Sequence, residues 1–183
     1  MRIVAGTHKG MRLKTLKGNT TRPTSEKVKN AIFSKIGPFF SGGTIAEMFG
    51  GSGSISLEAL SRGMKEAYIF EKHPKAVQVI RDNVSKCRMD EQVTVFKTDA
   101  RNAARLVKKY GEPVSLLYVD PPYSKVEYYD WIHDWIKRES LVKDAIIICE
   151  HQKGVRLPES YGPYVLKDQT TYGSSVISIY KGE

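Results

Sequence analysis

Cysteine is nearly absent from this chain of 183 residues: only Cys87 and Cys149 occur, each within an apolar pattern. That scarcity excludes a disulfide framework, and the two thiols read as buried free cysteines of a reducing cytoplasm. Histidine is scarce as well, and its four copies lie scattered without ligand spacing, so no metal site is expected. No apolar run approaches the ~20 residues needed to span a bilayer. The start, Met1-Arg2-Ile3-Val4-Ala5-Gly6, lacks the long apolar core of a signal peptide. A cytoplasmic protein with no membrane partner is therefore the expectation. Hydrophobic residues at 40% and charged residues at 27% make an ordinary globular balance, suited to one sizeable core and a monomer.

Acids are missing from one region in particular. Residues 1–40 hold nine Lys and Arg against the single acid Glu26, a net +8. The remainder holds 20 basic and 19 acidic residues, so nearly all of the overall +9 sits in the first fifth of the chain. A neutral body with a basic arm suits a polyanion, and the asymmetry favours nucleic acid over a merely soluble basic surface. Residues 1–22 read as that arm, with Arg2–Gly6 and Met11–Leu16 flanking His8-Lys9-Gly10 as a β-hairpin. Residues 23–183 read as the second unit. No repeat, low-complexity tract or linker interrupts it.

From Thr24 onward the pattern alternates helix and strand. Thr24 or Ser25 caps a helix that Gly37-Pro38 ends. Strands are expected at 44–49, 67–70, 93–96, 114–119 and 144–149, and helices at 54–62, from Pro74 to Cys87, at 100–110 and around Tyr128–Trp135. Residues 164–167 and 176–180 read as a closing antiparallel hairpin. Such alternation predicts an α/β protein, a mostly parallel sheet with helices on both faces and ligands beyond the strands' carboxyl ends.

Asp120-Pro121-Pro122-Tyr123 follows the fourth strand. Two prolines supply no N–H, so this loop presents acceptors and almost no donors. Asp120 adds a carboxylate and Tyr123 a flat ring. The set suits an exocyclic amine of a nucleobase, held by its hydrogens. Polar features stand at the ends of the three preceding strands too. Glu47-Met48-Phe49-Gly50-Gly51-Ser52-Gly53 is a glycine-rich strand-to-helix turn. Lacking a Lys-Ser/Thr ending it is no triphosphate loop, and lacking spaced Gly-x-Gly-x-x-Gly it is a poor nicotinamide site. Its Glu47 suits a ligand bearing an ammonium. Glu71 after the second strand can accept both ribose hydroxyls of an adenosine, or serve only the next helix. Asp99 after the third can bond an adenine amine or simply cap the helix at Ala100. All four features should meet on one rim.

These residues together resemble a class I S-adenosylmethionine-dependent methyltransferase. The opening Met1–Gly6, Thr21-Arg22-Pro23-Thr24-Ser25, the turn with Leu57-Glu58-Ala59-Leu60-Ser61-Arg62-Gly63, and Tyr172-Gly173-Ser174-Ser175 narrow the resemblance to the RsmD family, bacterial 16S ribosomal RNA guanine-N2 methyltransferases. The likeness spans essentially the whole chain. The family turn usually reads Asp-Leu-Phe-Ala-Gly-Ser-Gly; here Glu47, Met48 and Gly50 replace its Asp, Leu and Ala. Gly50 is expected to loosen the turn.

The resemblance implies a Rossmann-like fold with a seven-stranded sheet, and S-adenosylmethionine held by Glu47, Phe49, Gly50, Gly51, Ser52, Gly53, Glu71, Lys72, Asp99, Ala100 and Asp120. It implies catalysis by Asp120, Pro121, Pro122 and Tyr123. It also implies RNA contacts from Arg2, Lys9, Arg12, Lys14, Lys17, Arg22 and Thr24, the last two of which could instead close over the cofactor. The implied substrate is one guanine in the head of the small subunit near the P site, presented by 16S rRNA, the 30S subunit or an assembly intermediate. A DNA adenine-N6 or cytosine-N4 methyltransferase shares the Pro-Pro loop, but this chain has no spare segment for target recognition. A non-catalytic RNA-binding factor on the same scaffold is the other alternative.

Overall fold

A computed structural model of the protein describes residues 1–17 and 24–183. Parallel β1 (Thr44–Glu47), β2 (Glu66–Glu71), β3 (Val93–Lys97), β4 (Val114–Val119) and β5 (Leu141–Gln152) form the core of one sheet. Antiparallel β8 (Ser175–Gly182), β7 (Tyr164–Tyr172) and a two-residue β6 (Ser160–Tyr161) extend it in the order β3-β2-β1-β4-β5-β8-β7-β6. The expected seven strands thus become eight, because Ser160 and Tyr161 pair with Val165 and Tyr164 at the edge. The chain runs outward from β1 to β3, then returns to β4 on β1's other side. That reversal makes a topological switch point, where parallel sheets bind ligands.

Both faces of the sheet are covered, and the pleat decides which residues go where. Ile45, Ile69, Leu116, Tyr118 and Ile148 point into a core with α1 (Glu26–Ile36), α2 (Ser54–Ser61) and α3 (Pro74–Lys86). Their neighbours Ala46, Phe70, Leu117, Val119 and Ile147 pack on the opposite face with α4 (Ala103–Tyr110) and α5 (Ile132–Lys137). Burial on two sides explains why these strands are continuous apolar runs. The helices start as their sequences dictate: Ser25 Oγ accepts from the Val28 N–H, and Pro74 opens α3. Two expected helices begin instead as 3-10 turns, Ala100–Asn102 before α4 and Val126–Trp131 before α5.

The N-terminal segment closes on itself as a short antiparallel hairpin: the Ile3 N–H donates to the Met11 carbonyl at 2.9 Å, the Gly10 N–H to the Ile3 carbonyl at 2.8 Å and the Leu13 N–H to the Met1 carbonyl at 2.8 Å. Among the described residues its β pairing centres on a bridge between Arg2 and Arg12, and the body holds the segment as well. Ile3 and Leu13 are buried in the core beside α1 and α2. Glu58 of α2 accepts from the backbone N–H groups of Val4 and Ala5, and Asn83 of α3 bonds both the N–H and the carbonyl of Lys14. The two stretches thus find backbone partners both on each other and on the helices, as buried main-chain groups require. The boundary expected between residues 22 and 23 lies outside the described residues.

Candidate active site

A cavity of about 280 Å³ opens at the switch point, and successive strand ends line it. β1 contributes Glu47 to Ser52, β2 Phe70 to His73, β3 Thr98 to Ala100, and β4 Tyr118 and Asp120 to Lys125. The four polar features of the sequence therefore do meet on one rim. Of the eleven residues expected around the cofactor, Gly53 alone does not line the cavity; it caps α2 in a left-handed conformation, φ 78°. Gly50 leaves no empty space in the turn. A Cβ there would lie 2.5 Å from Ile69 Cγ2 and 2.8 Å from Ile80 Cδ1, so two isoleucines already fill the space an alanine would use.

Glu47 is buried, and its Oε2 accepts from the Ser56 hydroxyl at 2.6 Å and backbone N–H at 3.1 Å. Burial outweighs those bonds and lifts its pKa from 4.5 to about 8. Glu71 is held by the N–H groups of Gly51 and His73, both at 3.0 Å, which ties the glycine turn to the end of β2. Asp99 caps its 3-10 turn through the Arg101 N–H at 2.9 Å. The same carboxylate takes the Arg101 guanidinium at 2.9 Å and the Tyr128 hydroxyl at 2.7 Å. Burial works against its charge, but these donors prevail and hold it down at about 2. Asp99 is thus a committed anion, occupied by its own neighbours. Lys72 stands 3.9 Å from it, half-exposed.

Asp120 directly follows β4, half-buried, and accepts no hydrogen bond from any described residue. Burial first, then the nearby Glu150 and Glu47, push its pKa well above the usual carboxylate range. Pro121 is buried, whereas Tyr123 is 50% exposed, leaving a ring face open at the mouth.

Sequence reasoning missed Glu150. It lies within β5, one residue past the register pair Val119↔Cys149, and is therefore Asp120's neighbour on the adjacent strand. Its Oε2 accepts from the Tyr118 hydroxyl at 2.5 Å and the Thr24 hydroxyl at 2.8 Å. An acid directly after the apolar Ile146-Ile147-Ile148-Cys149 is the same signal that picked out Glu71, and would have found it. Thr24, expected either at the RNA or over the cofactor, lines the cavity, as do Thr15 and Leu16 of the N-terminal segment. No sequence signal points to those last two, because only docking of the segment brings them there.

The expected RNA contacts sit on the surface with different partners. Arg2 pairs with Glu26 at 3.3 Å and Lys14 with Asp82 at 3.1 Å. Lys9, Arg12 and Lys17 are exposed and make no ion pair with a described residue. Arg22 lies outside the described residues. Among those described, no cluster of His, Cys, Asp and Glu is arranged to hold a metal ion, and no helix is long and apolar enough to cross a membrane.

The family model described as "Conserved hypothetical protein 95" matches residues 1–181. The chain belongs to this family. Its relatives include the Bacillus subtilis protein named "Putative rRNA methyltransferase YlbH", 35% identical over 181 residues that cover 99% of this chain and 98% of that one. "Ribosomal RNA small subunit methyltransferase D" of Escherichia coli is 25% identical over 183 residues, covering 100% of this chain and 90% of the other. The solved yhhF structure of Escherichia coli superimposes with a TM-score of 0.86 at 24% identity, over 100% of this chain and 98% of that chain. The Rossmann-like methyltransferase architecture expected from the sequence is the one found.

Proposed function

We propose that this protein transfers a methyl group from S-adenosylmethionine to the exocyclic N2 amine of a guanine in small-subunit ribosomal RNA, in the cytoplasm and as a monomer. The observation that carries this reading is the pairing of an acceptor-only Asp-Pro-Pro-Tyr loop with an acid-lined cavity in an otherwise basic protein. The names of the relatives supply the rRNA substrate class. The acids fit a ligand that carries an ammonium, a sulfonium and vicinal hydroxyls. Glu47 would face the ammonium, the Gly50–Ser52 backbone the methionine portion, Glu71 the ribose, and Asp99 and Ala100 the adenine end. When bound, S-adenosylmethionine supplies an electrophilic methyl on a positively charged sulfur.

The chain's own residues do the rest. Tyr123 offers its exposed face for stacking a base that has left its helix or lies in a loop. Asp120 and the Pro121 carbonyl accept the hydrogens of the N2 amine. Acceptors placed there stabilise the positive charge that grows on nitrogen as the N–C bond forms and the C–S bond breaks. One N2 proton must then leave, and Asp120, whose proton affinity burial has raised, is placed to take it. Lys9, Arg12 and Lys17 hold phosphates at a distance from the chemistry.

Asp120→Ala is expected to lower the single-turnover rate on small-subunit RNA by about 10²–10³-fold while leaving S-adenosylmethionine affinity nearly unchanged. A near-normal single-turnover rate removes Asp120 from the chemistry and the reading with it.

A further inference from the structure

Asp120 and Glu150 are adjacent in the sheet, line the same cavity, and differ in how they are held. Asp120 is free at both oxygens among the described residues, whereas Glu150 is clamped at one. Its Oε2 takes two hydroxyls, and Tyr129 donates its hydroxyl to the Glu150 backbone carbonyl, so neither the side chain nor the main chain is at liberty to turn. Oε1 receives no hydrogen bond from a described residue, although Glu150 is only 9% exposed. Glu150 itself lines the cavity. A carboxylate oxygen on a rigidly held, nine-tenths buried residue that lines the cavity, without a partner among the described residues, awaits a donor. The same residue also borders a smaller recess beside the Pro-Pro loop, with Tyr123, Gln152 and Val155. It therefore stands at the junction where a base stacked on Tyr123 would present its edge.

Bases differ at that edge. Guanine carries two adjacent donors, the N2 amine and N1–H. Adenine and cytosine place a ring-nitrogen lone pair next to their amine. One carboxylate suffices to hold an amine, but a second beside it attracts N1–H and repels a lone pair. We propose that Glu150 is a specificity-determining residue: its free Oε1 accepts the guanine N1–H while Asp120 accepts the N2 amine, and the pair rejects bases whose ring nitrogen is an acceptor. This rests on the reading that the substrate is a guanine amine. It adds to that reading the group that excludes adenine and cytosine, which the Pro-Pro loop by itself accepts.

The test uses the full-length protein, an RNA carrying the methylated guanine, mapped beforehand, and the same RNA with 2-aminopurine at that one position. 2-Aminopurine keeps the N2 amine but replaces N1–H with a lone pair. Wild-type protein is expected to methylate the guanine RNA about 10- to 100-fold faster than the 2-aminopurine RNA. In E150Q, whose amide can donate, that preference should collapse or reverse, with S-adenosylmethionine binding by calorimetry unchanged. E150D retains an acceptor and should keep the guanine preference at a reduced rate. Equal wild-type rates on the two RNAs overturn the inference without any variant, as does E150Q slowing both alike. Should E150Q fail to fold, the wild-type ratio and E150D decide, and an E150D that loses the preference counts against. Wild-type protein that binds S-adenosylmethionine yet transfers to neither RNA overturns the guanine reading itself, and this inference with it; wild-type transfer to guanine separates the two failures.

Discussion

Glu47 shows how far a single carboxylate departs from its sequence-level reading. An acid at a strand end suggests a standing negative charge for an ammonium, but burial raises Glu47 to about 8, so the ligand-free protein holds it protonated at neutral pH. A cation arriving beside it restores the charge and expels the proton. Calorimetry of S-adenosylmethionine binding at pH 7, in buffers of different ionisation enthalpy, should therefore reveal proton release. That release should shrink in Glu47→Gln and fade above pH 9. Stability follows the same group in the opposite sense to an ion-paired acid. Its folded pKa lies above the 4.5 of the unfolded chain, so its contribution is complete below pH 4.5 and is lost as pH rises towards 8. Glu47→Gln should flatten that decline in denaturant melts taken across the window. The identity of the rim residues was legible because each follows an apolar strand. Their protonation was not, because desolvation depends on what covers them.

At the scale of elements, two motifs far apart in sequence prove to be one contact. Gly6 lies against α2 so closely that a Cβ would sit 1.8 Å from the Ser61 carbonyl oxygen, and its φ of 88° disfavours any side chain. Ser61 Oγ donates to the Ala5 carbonyl at 2.7 Å, and the Thr7 N–H donates to the Ser61 carbonyl at 2.9 Å. Beneath them Glu58 is fully buried between Lys29 at 3.2 Å and Arg62 at 2.9 Å while accepting from Val4 and Ala5. Glu58→Gln leaves two buried cations short of their counter-charge and is expected to cost about 3–5 kcal/mol in urea melts. The same change should expose residues 1–13 to limited proteolysis. Helix and strand positions in this region followed from periodicity and capping. The hairpin expected at residues 2–16 is present as a short pairing, and α2 and α3 take the backbone groups of Val4, Ala5 and Lys14.

Across the whole molecule, charge is segregated by sign. Acids gather in the cavity, while the cations of the first 40 residues lie largely outside it. Not all those cations are equal: Lys29 is spent inside the fold, and Arg2 and Lys14 have acidic neighbours. Replacing Lys9, Arg12 and Lys17 together by Gln should thus reduce the dependence of RNA affinity on salt by a log–log slope of about 2 to 3. Replacing Arg2 and Lys14 should reduce it less, as measured by filter binding over a range of potassium chloride. Sequence alone determined the α/β class, the strand ends that line the cavity and the acceptor-only loop, since these depend on local spacing and on what proline and glycine permit. Tertiary structure alone decided that Glu150 stands beside Asp120, that Thr15 and Leu16 reach the cavity, and that the N-terminal segment is part of the body. Strand order and helix docking bring those groups together across more than a hundred residues in the longest case, and no local pattern encodes a neighbour that distant.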